Sequence, residues 1–299
     1  MRAYLGEMMP PGRYLAAAAL VHVAPAGFAR RIHGESGSLL SPYTLLGIWS
    51  VFDLLLILRL MDELKDRDID RALFPRRPLP SGRVLERDIR LSLAAAMGLY
   101  ALPSLLAGVL GPALAVLAYA LLMFRRFFAP RLLRRSLLLT LATHTPIVPL
   151  MVLHGLAIFA AEHGRPLRGL DWWSLAPVVA MVWSGFLSWE LSRKIRSAPE
   201  ETEYVTYSRV LGPRGAVTLL VAVQAVGLAC GALLFARLSL SWTYLAILLG
   251  ASGVAAGASA RFLAAPGPRT SSRLRPCAEV FLLGLLAAGA LELGWGWRG

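Results

Sequence analysis

Charge is scarce in this chain, and cysteine is scarcer. Asp, Glu, Lys and Arg together make up 16% of its 299 residues, against about 25% in soluble globular domains, which excludes a solvated fold of that length. Two cysteines, Cys230 and Cys277, both lie inside apolar runs. They exclude a disulfide framework and supply too few thiolates for a cysteine metal site. Acids are the rarer charged class, 18 against 31 Lys and Arg, for a net charge of +13. Nucleic acid is one use for such a balance, but no soluble basic region exists to carry it, so it is set aside as a partner. No internal period marks a repeat architecture. Residues 1–14 hold Glu7 and two prolines in place of a basic start and an apolar run, so no cleavable signal peptide is read and the first apolar segment is expected to remain as a span.

What is abundant is apolar length. Hydrophobic residues make up 57% of the chain and the mean hydropathy is +0.59. A membrane helix needs about 20 mostly apolar residues. Nine stretches qualify, near 14–29, 41–61, 88–109, 111–124, 136–160, 173–193, 212–236, 240–262 and 276–297. The fourth is the shortest, and Pro103, Pro112, Pro146 and Pro149 are expected to split or kink the runs that contain them. The reading is an all-α integral membrane protein, residues 1–299 as a single domain. Nine spans put the N-terminus and loops 2–3, 4–5, 6–7 and 8–9 on one side. All Lys and Arg except Arg30, Arg31, Arg165, Arg168, Arg237 and Arg298 fall there, so that side is expected to be cytoplasmic. The surplus charge then suits anionic lipid headgroups or a phosphorylated substrate.

Chemistry concentrates at the end of the second span. Asp62, Glu63, Asp66, Asp68 and Asp70 place five acids within nine residues, and Asp62, Asp66 and Asp70 recur every four residues, on one helical face. Crowded carboxylates repel unless a cation offsets them, and Mg²⁺ prefers such oxygens while keeping sites for water and substrate phosphate. The plain alternative is a solvated helix end, its acids paired with Lys65, Arg67 and Arg71. The next residues favour the metal: Arg76-Arg77-Pro78-Leu79-Pro80-Ser81-Gly82-Arg83 supplies cations, turn residues and a hydroxyl for a loop over a bound anion.

From Asp62 to Val84 the sequence resembles the UbiA superfamily of intramembrane prenyltransferases. Members carry Asn-Asp-x-x-Asp-x-x-x-Asp followed closely by Arg-Pro-Leu-Pro-Ser-Gly-Arg. Here Asp62 and Glu63 hold the first two positions, Asp66 and Asp70 the others, and the trailing element is complete from Arg77 to Arg83. The resemblance implies nine helices around a central cavity. It further implies two acidic motifs, on the second and sixth spans, that hold Mg²⁺ on the diphosphate of an isoprenyl donor. Asp62, Asp66 and Asp70 would be metal ligands, and Arg77, Ser81 and Arg83 would bind the diphosphate. Tyr119 with Arg125 and Arg126 loosely matches a family Tyr and basic pair that contacts the diphosphate. The alternative for the pair is a basic stop after the fourth span.

The sixth span departs from the pattern. Between Trp189 and Thr206 there is no aspartate. Glu190, Glu200, Glu201 and Glu203 are the acids on offer, and Thr206 and Leu211-Gly212 keep the family spacing. Either Glu190, Glu200 and Glu201 ligate Mg²⁺, or Arg193 and Lys194 bind the diphosphate directly. A helical Glu190–Lys194 ion pair is the plain reading. Trp183 and Phe186 share the face of Glu190 and would steer a carbocation if that face turns inward. Packing or lipid-facing aromatics are the alternative, with Trp172, Trp173 and Trp189 as interfacial anchors. Within the spans, Asp53, His144 and His154 need partners or a function. A lone histidine is more often hydrogen-bonded structure than a base, and His144 is the best candidate for handling the acceptor or its proton.

Three functions are open to the sequence. The first is an Mg²⁺-dependent prenyltransferase that ionises an isoprenyl diphosphate and alkylates a hydrophobic or aromatic acceptor within the bilayer. The second is a terpene cyclase of the same superfamily, acting without an acceptor. The third is a non-catalytic lipid-binding or transport protein on the same fold.

Overall fold

The computed structural model describes residues 2–35, 41–202 and 205–295. Among them every regular element is a helix. Short helix α1 (Arg2–Met8) precedes α2 (Pro11–His33) and α3 (Pro42–Lys65), and α4 (Arg67–Leu73) follows at once. Then come α5 (Glu86–Leu106), α6 (Leu110–Phe124), α7 (Pro130–Arg135), α8 (Leu137–His144) and α9 (Ile147–Glu162). The chain continues with α10 (Trp172–Ser192), α11 (Tyr207–Leu238), α12 (Trp242–Ala264) and α13 (Pro268–Trp295).

Local sequence explains the boundaries. Ser41, Ser136, Asp171, Thr206 and Ser241 each cap a following helix by accepting a backbone N–H in its first turn, which satisfies donors that the helix itself leaves orphaned. Gly34 closes α2 in the left-handed region at φ 67°, where a Cβ would be strained. Thr145 and Pro146 separate α8 from α9, as the prolines of that run predict, and together the two cover one span of residues 137–162. Among the described residues eight spans are long and apolar enough to cross a membrane, and the shorter apolar α6 makes a ninth. The spans run a few residues beyond several expected edges: α11 starts at Tyr207 and bends at Gly212 and Pro213, and α13 starts at Pro268. The expected end of the last span, residue 297, lies outside the described residues.

The order of packing closes on itself. Successive members of the series α2, α3, α5, α6, α9, α10, α11, α12 and α13 touch, and α13 returns to α2. The largest buried cluster joins α2, α3, α5, α6, α9 and α10, through Leu54, Ile57, Tyr100, Val116, Met151, Leu156 and Val182. Half-buried Phe52, Leu55, Met123, Val148 and Phe186 pack against it. Close approach relies on small residues: a Cβ on Gly284 of α13 would lie 2.3 Å from the Ala251 Cβ of α12.

Inside this ring lies a polar group that the apolar periodicity does not reveal. The Tyr100 hydroxyl is 2.8 Å from His154 Nδ1, and Ser104 bonds the Tyr100 carbonyl at 2.8 Å. His22 fits against Gly47, where an added Cβ would come within 2.0 Å of the imidazole. Asp53 is buried on α3, nine residues before Asp62 and therefore about 180° round the helix from it. His154 is thus a hydrogen-bonded core histidine, and Asp53 faces away from the acidic motif.

Candidate active site

The acidic motif spans a kink. α3 ends at Lys65, and Asp66 leaves helical geometry at φ −103°, ψ 11°. The four-residue ladder nevertheless survives: the Asp66 amide donates to the Asp62 carbonyl and the Asp70 amide to the Asp66 carbonyl, each at 2.9 Å. The repeat therefore keeps its three aspartates along one line despite the break. Glu63, at the motif's second position, turns away into a buried pair with Arg59.

The three aspartates have different surroundings. Asp62 is 49% exposed with Lys65 Nζ at 2.7 Å. Asp66 is 41% exposed with Arg126 at 3.8 Å. Asp70 is only 10% exposed, and both its oxygens accept from Arg77, at 2.8 and 2.9 Å. Arg77 also lies over the Phe74 ring at 3.9 Å. Burial raises the Asp66 carboxyl above its ordinary value, Lys65 opposes this, and the Asp62 charge adds to it. The acids thus feel one another across the kink.

The loop after α4 is fastened at both ends. Its turn is closed by Ser81 N to Arg77 O at 3.0 Å and Val84 N to Pro78 O at 3.1 Å, with Gly82 at φ 76°. Arg83 donates to both carboxylate oxygens of Glu7, to the Arg76 carbonyl at 2.8 Å and to Ser81 Oγ at 3.1 Å. Tyr4 of α1 is buried among Leu60, Val84 and Ile89. The N-terminal helix therefore straps the loop from the same end as the acidic motif, a partnership between residues 76 apart that no local pattern announces.

A third wall comes from α6 to α8. The Tyr119 hydroxyl donates to the Thr143 carbonyl at 2.9 Å. Arg126, Phe127 and Phe128 all adopt positive φ, between 49° and 56°. Three consecutive non-glycine residues in that region are strained. The turn sets Arg126 toward Asp66 and the Phe127 ring between Tyr119, 5.5 Å away, and His144, 5.9 Å away. Arg125 remains exposed at the end of α6. His144 Nδ1 lies 2.8 Å from the Thr140 carbonyl; a carbonyl only accepts, so Nδ1 donates and Nε2 of the neutral ring keeps its lone pair. Leu141, one turn before His144, packs with Leu138 against Leu191, Ile195 and Tyr207, so the end of α8 lies between the Arg126–Phe128 turn and the end of α10.

On α10, Glu190 pairs with Lys194 at 2.9 Å and Arg193 at 3.3 Å. Phe186 lies against the central cluster, whereas Trp183 is exposed. The loop acids have other partners. Glu200 accepts from the Ser197 amide and hydroxyl and from Ser271. Burial raises its carboxyl, and the bonds from Ser197 and Ser271 outweigh that and lower it. Glu201 accepts from Thr206 at 2.7 Å and Ser208 at 2.8 Å. Both carboxylates bond the hydroxyls that shape the turn into α11. Glu203 lies outside the described residues.

Among the described residues no three His, Cys, Asp or Glu side chains converge to hold a metal ion. Mg²⁺ does not require three: it is typically held by one or two carboxylates, with substrate phosphates and water completing the octahedron. Half-exposed Asp62 and Asp66 fit that donor set.

The sequence profile of the UbiA prenyltransferase family matches residues 22–286. Among solved structures, one reported for a digeranylgeranylglyceryl phosphate synthase in membranes superposes with a TM-score of 0.69 at 14% identity, covering 98% of each chain. The apo structure of a UbiA homolog from Aeropyrum pernix K1 superposes at 0.62 with 20% identity, covering 90% of this chain and 96% of that one. At such identities the likeness is one of fold. No curated protein sequence matches.

Proposed function

The chain belongs to the UbiA prenyltransferase family, and from that premise we propose that it ionises an isoprenyl diphosphate with Mg²⁺ and passes the prenyl group to a hydrophobic or aromatic acceptor. The observation that carries the reading is the half-exposed Asp62–Asp66 pair, one turn before the Asp70 that holds Arg77, at the charged end of an apolar helical ring. By the distribution of Lys and Arg this end faces the cytoplasm.

Asp62 and Asp66 would hold the ion, which when bound offsets the charge of the departing diphosphate. Arg77 and Arg126, now resting on Asp70 and Asp66, lie within reach of the same group and add positive charge to it. Asp70 holds Arg77 and so sets the position of the loop. Phe52, Leu55, Met123, Val148 and Phe186, half-buried against the central cluster, are the apolar side chains that would exclude water while the allylic cation persists. The Phe186 face stabilises positive charge near it. His144 Nε2 is the free base on this wall, suited to take the proton that the acceptor loses on alkylation.

Purified protein given Mg²⁺ and an isoprenyl diphosphate, with and without candidate acceptors, tests the reading. Diphosphate release that waits for an acceptor supports a transferase. Release of a cyclic hydrocarbon with no acceptor present identifies a cyclase. Unchanged release from Asp66→Ala would sink both and leave a lipid-binding or transport role.

A further inference from the structure

The two halves of the site differ in charge. On α3 the groups open to a ligand are carboxylates; on α10 they are a glutamate already held by two cations. Glu200 and Glu201, the remaining described acids after α10, are engaged by Ser197, Ser271, Thr206 and Ser208. A second divalent ion would find at most Glu190 there, and would meet the repulsion of Lys194 and Arg193.

The two basic residues also diverge. Arg193, 40% exposed, leans over the Trp189 ring at 5.0 Å, and Arg275 lies over the same ring at 5.9 Å, so Arg193 points toward α13. Lys194 is 16% exposed and lies 5.9 Å over the Tyr207 ring. Its carbonyl accepts the Tyr207 amide at 3.0 Å, which pins this turn to the start of α11. Tyr207 belongs to a buried cluster with Leu191 and Ile195, against which Leu138 and Leu141 of α8 pack, and α8 ends at His144, whose ring meets Phe127 in the turn that sends Arg126 to Asp66. Lys194 is therefore the cation after α10 on the α8 side, the side that leads to the acidic motif.

We propose that Lys194 binds the diphosphate directly in place of a second metal ion, so that the site works with one divalent cation, on Asp62 and Asp66, and one fixed ammonium. The inference rests on the isoprenyl diphosphate reading above. Lysine suits the task as a compact point charge for phosphate. Glu190 is then a positioning residue: in the free protein it holds the ammonium toward the site, and it shares Lys194 with the diphosphate on binding.

Counting metal separates this arrangement from a two-metal site without relying on turnover. Mn²⁺ as a probe for Mg²⁺, with inorganic diphosphate and detergent-purified protein, should show one bound ion per chain by electron paramagnetic resonance. Lys194→Gln should keep that ion and bind diphosphate about 10- to 100-fold more weakly, the worth of one charge-assisted hydrogen bond. Lys194→Arg should recover most of the loss, which separates charge from folding damage. Asp66→Asn should lose the ion. Two ions per chain, one of them removed by Glu190→Gln, would overturn the proposal, as would wild-type diphosphate affinity in Lys194→Gln. Failure of the wild-type protein to bind diphosphate in any metal condition would instead overturn the functional reading on which it rests.

Discussion

Asp70→Asn isolates the fastening of the loop from the metal chemistry. In the metal-free protein, Asp70 accepts two contacts from Arg77, at 2.8 and 2.9 Å, with the carboxylate side chain 10% exposed and the arginine 33% exposed. A hydrogen bond to a charged group contributes about 1.5–3 kcal/mol. Partial exposure of Arg77 lowers this, since screened pairs contribute far less. An amide in place of the carboxylate keeps shape and one acceptor, so the local loss should be about 1–2 kcal/mol. That corresponds to about a 5- to 30-fold increase in the open population of the loop. Three amides report on it: Ser81, Gly82 and Val84, bonded to Arg77 O, Leu79 O and Pro78 O. Hydrogen exchange without metal should show their protection falling by that factor, while amides in the middle of α3 and α5 stay as they were. Protection unchanged within twofold would refute the idea that the Asp70–Arg77 pair sets the loop. A loss shared equally by α3 and α5 would show that the substitution weakens the bundle as a whole.

Other consequences follow from the same geometry. Glu7→Gln should free Arg83, raising the rate of tryptic cleavage after Arg83 while the melting temperature stays within a few degrees; equal cleavage in both proteins would remove α1 as a strap. Because the bond from Arg83 lowers the Glu7 carboxyl below its ordinary value, the wild-type strap should hold as pH falls through the usual glutamate range and open only below it. Asp66 is raised, chiefly by burial, so protons should compete with Mn²⁺ beginning above the ordinary aspartate range of about 4. Mn²⁺ affinity should therefore weaken early as pH falls, and a flat profile down to pH 4 would contradict this. Tyr100→Phe removes the hydroxyl that meets His154 at 2.8 Å and should destabilise the detergent-solubilised protein by about 1–3 kcal/mol, read as a lower melting temperature; an unchanged value would make the contact energetically silent.

The features legible in the sequence are those encoded over one or two helical turns. The four-residue spacing of Asp62, Asp66 and Asp70, the apolar runs and the Pro146 break each depend on residues close in sequence, and each reappears in the structure. Pairings over longer separations were not legible. Glu7 and Arg83 stand 76 residues apart, and the hydroxyl of Ser271 reaches back 71 residues to Glu200. An acid that serves a hydroxyl, distant as Ser271 is from Glu200 or near as Thr206 and Ser208 are to Glu201, reads in sequence like any other candidate ligand. The left-handed turn at Arg126, Phe127 and Phe128 was hidden for another reason: that conformation is usually announced by glycine, and here three side chains adopt it.

That turn ties the separate walls together. Arg126 reaches Asp66 and the Lys65 carbonyl, while the next residue, Phe127, lies against His144. Strained backbone persists only where its surroundings determine it strongly, and here the determinants are the two faces of the candidate site. A diphosphate that drew Arg126 away from Asp66 would remove one of those constraints. The Phe127 ring would then be free to move off the imidazole. Exposure of His144 Nε2 would follow arrival of the diphosphate, so that proton transfer is held back until the donor is seated. Phe127→Ala should uncouple the two, leaving diphosphate affinity intact while His144 becomes reactive to a histidine-modifying reagent before any donor binds. Equal modification rates in Phe127→Ala and the wild-type protein would show that the ring is packing alone.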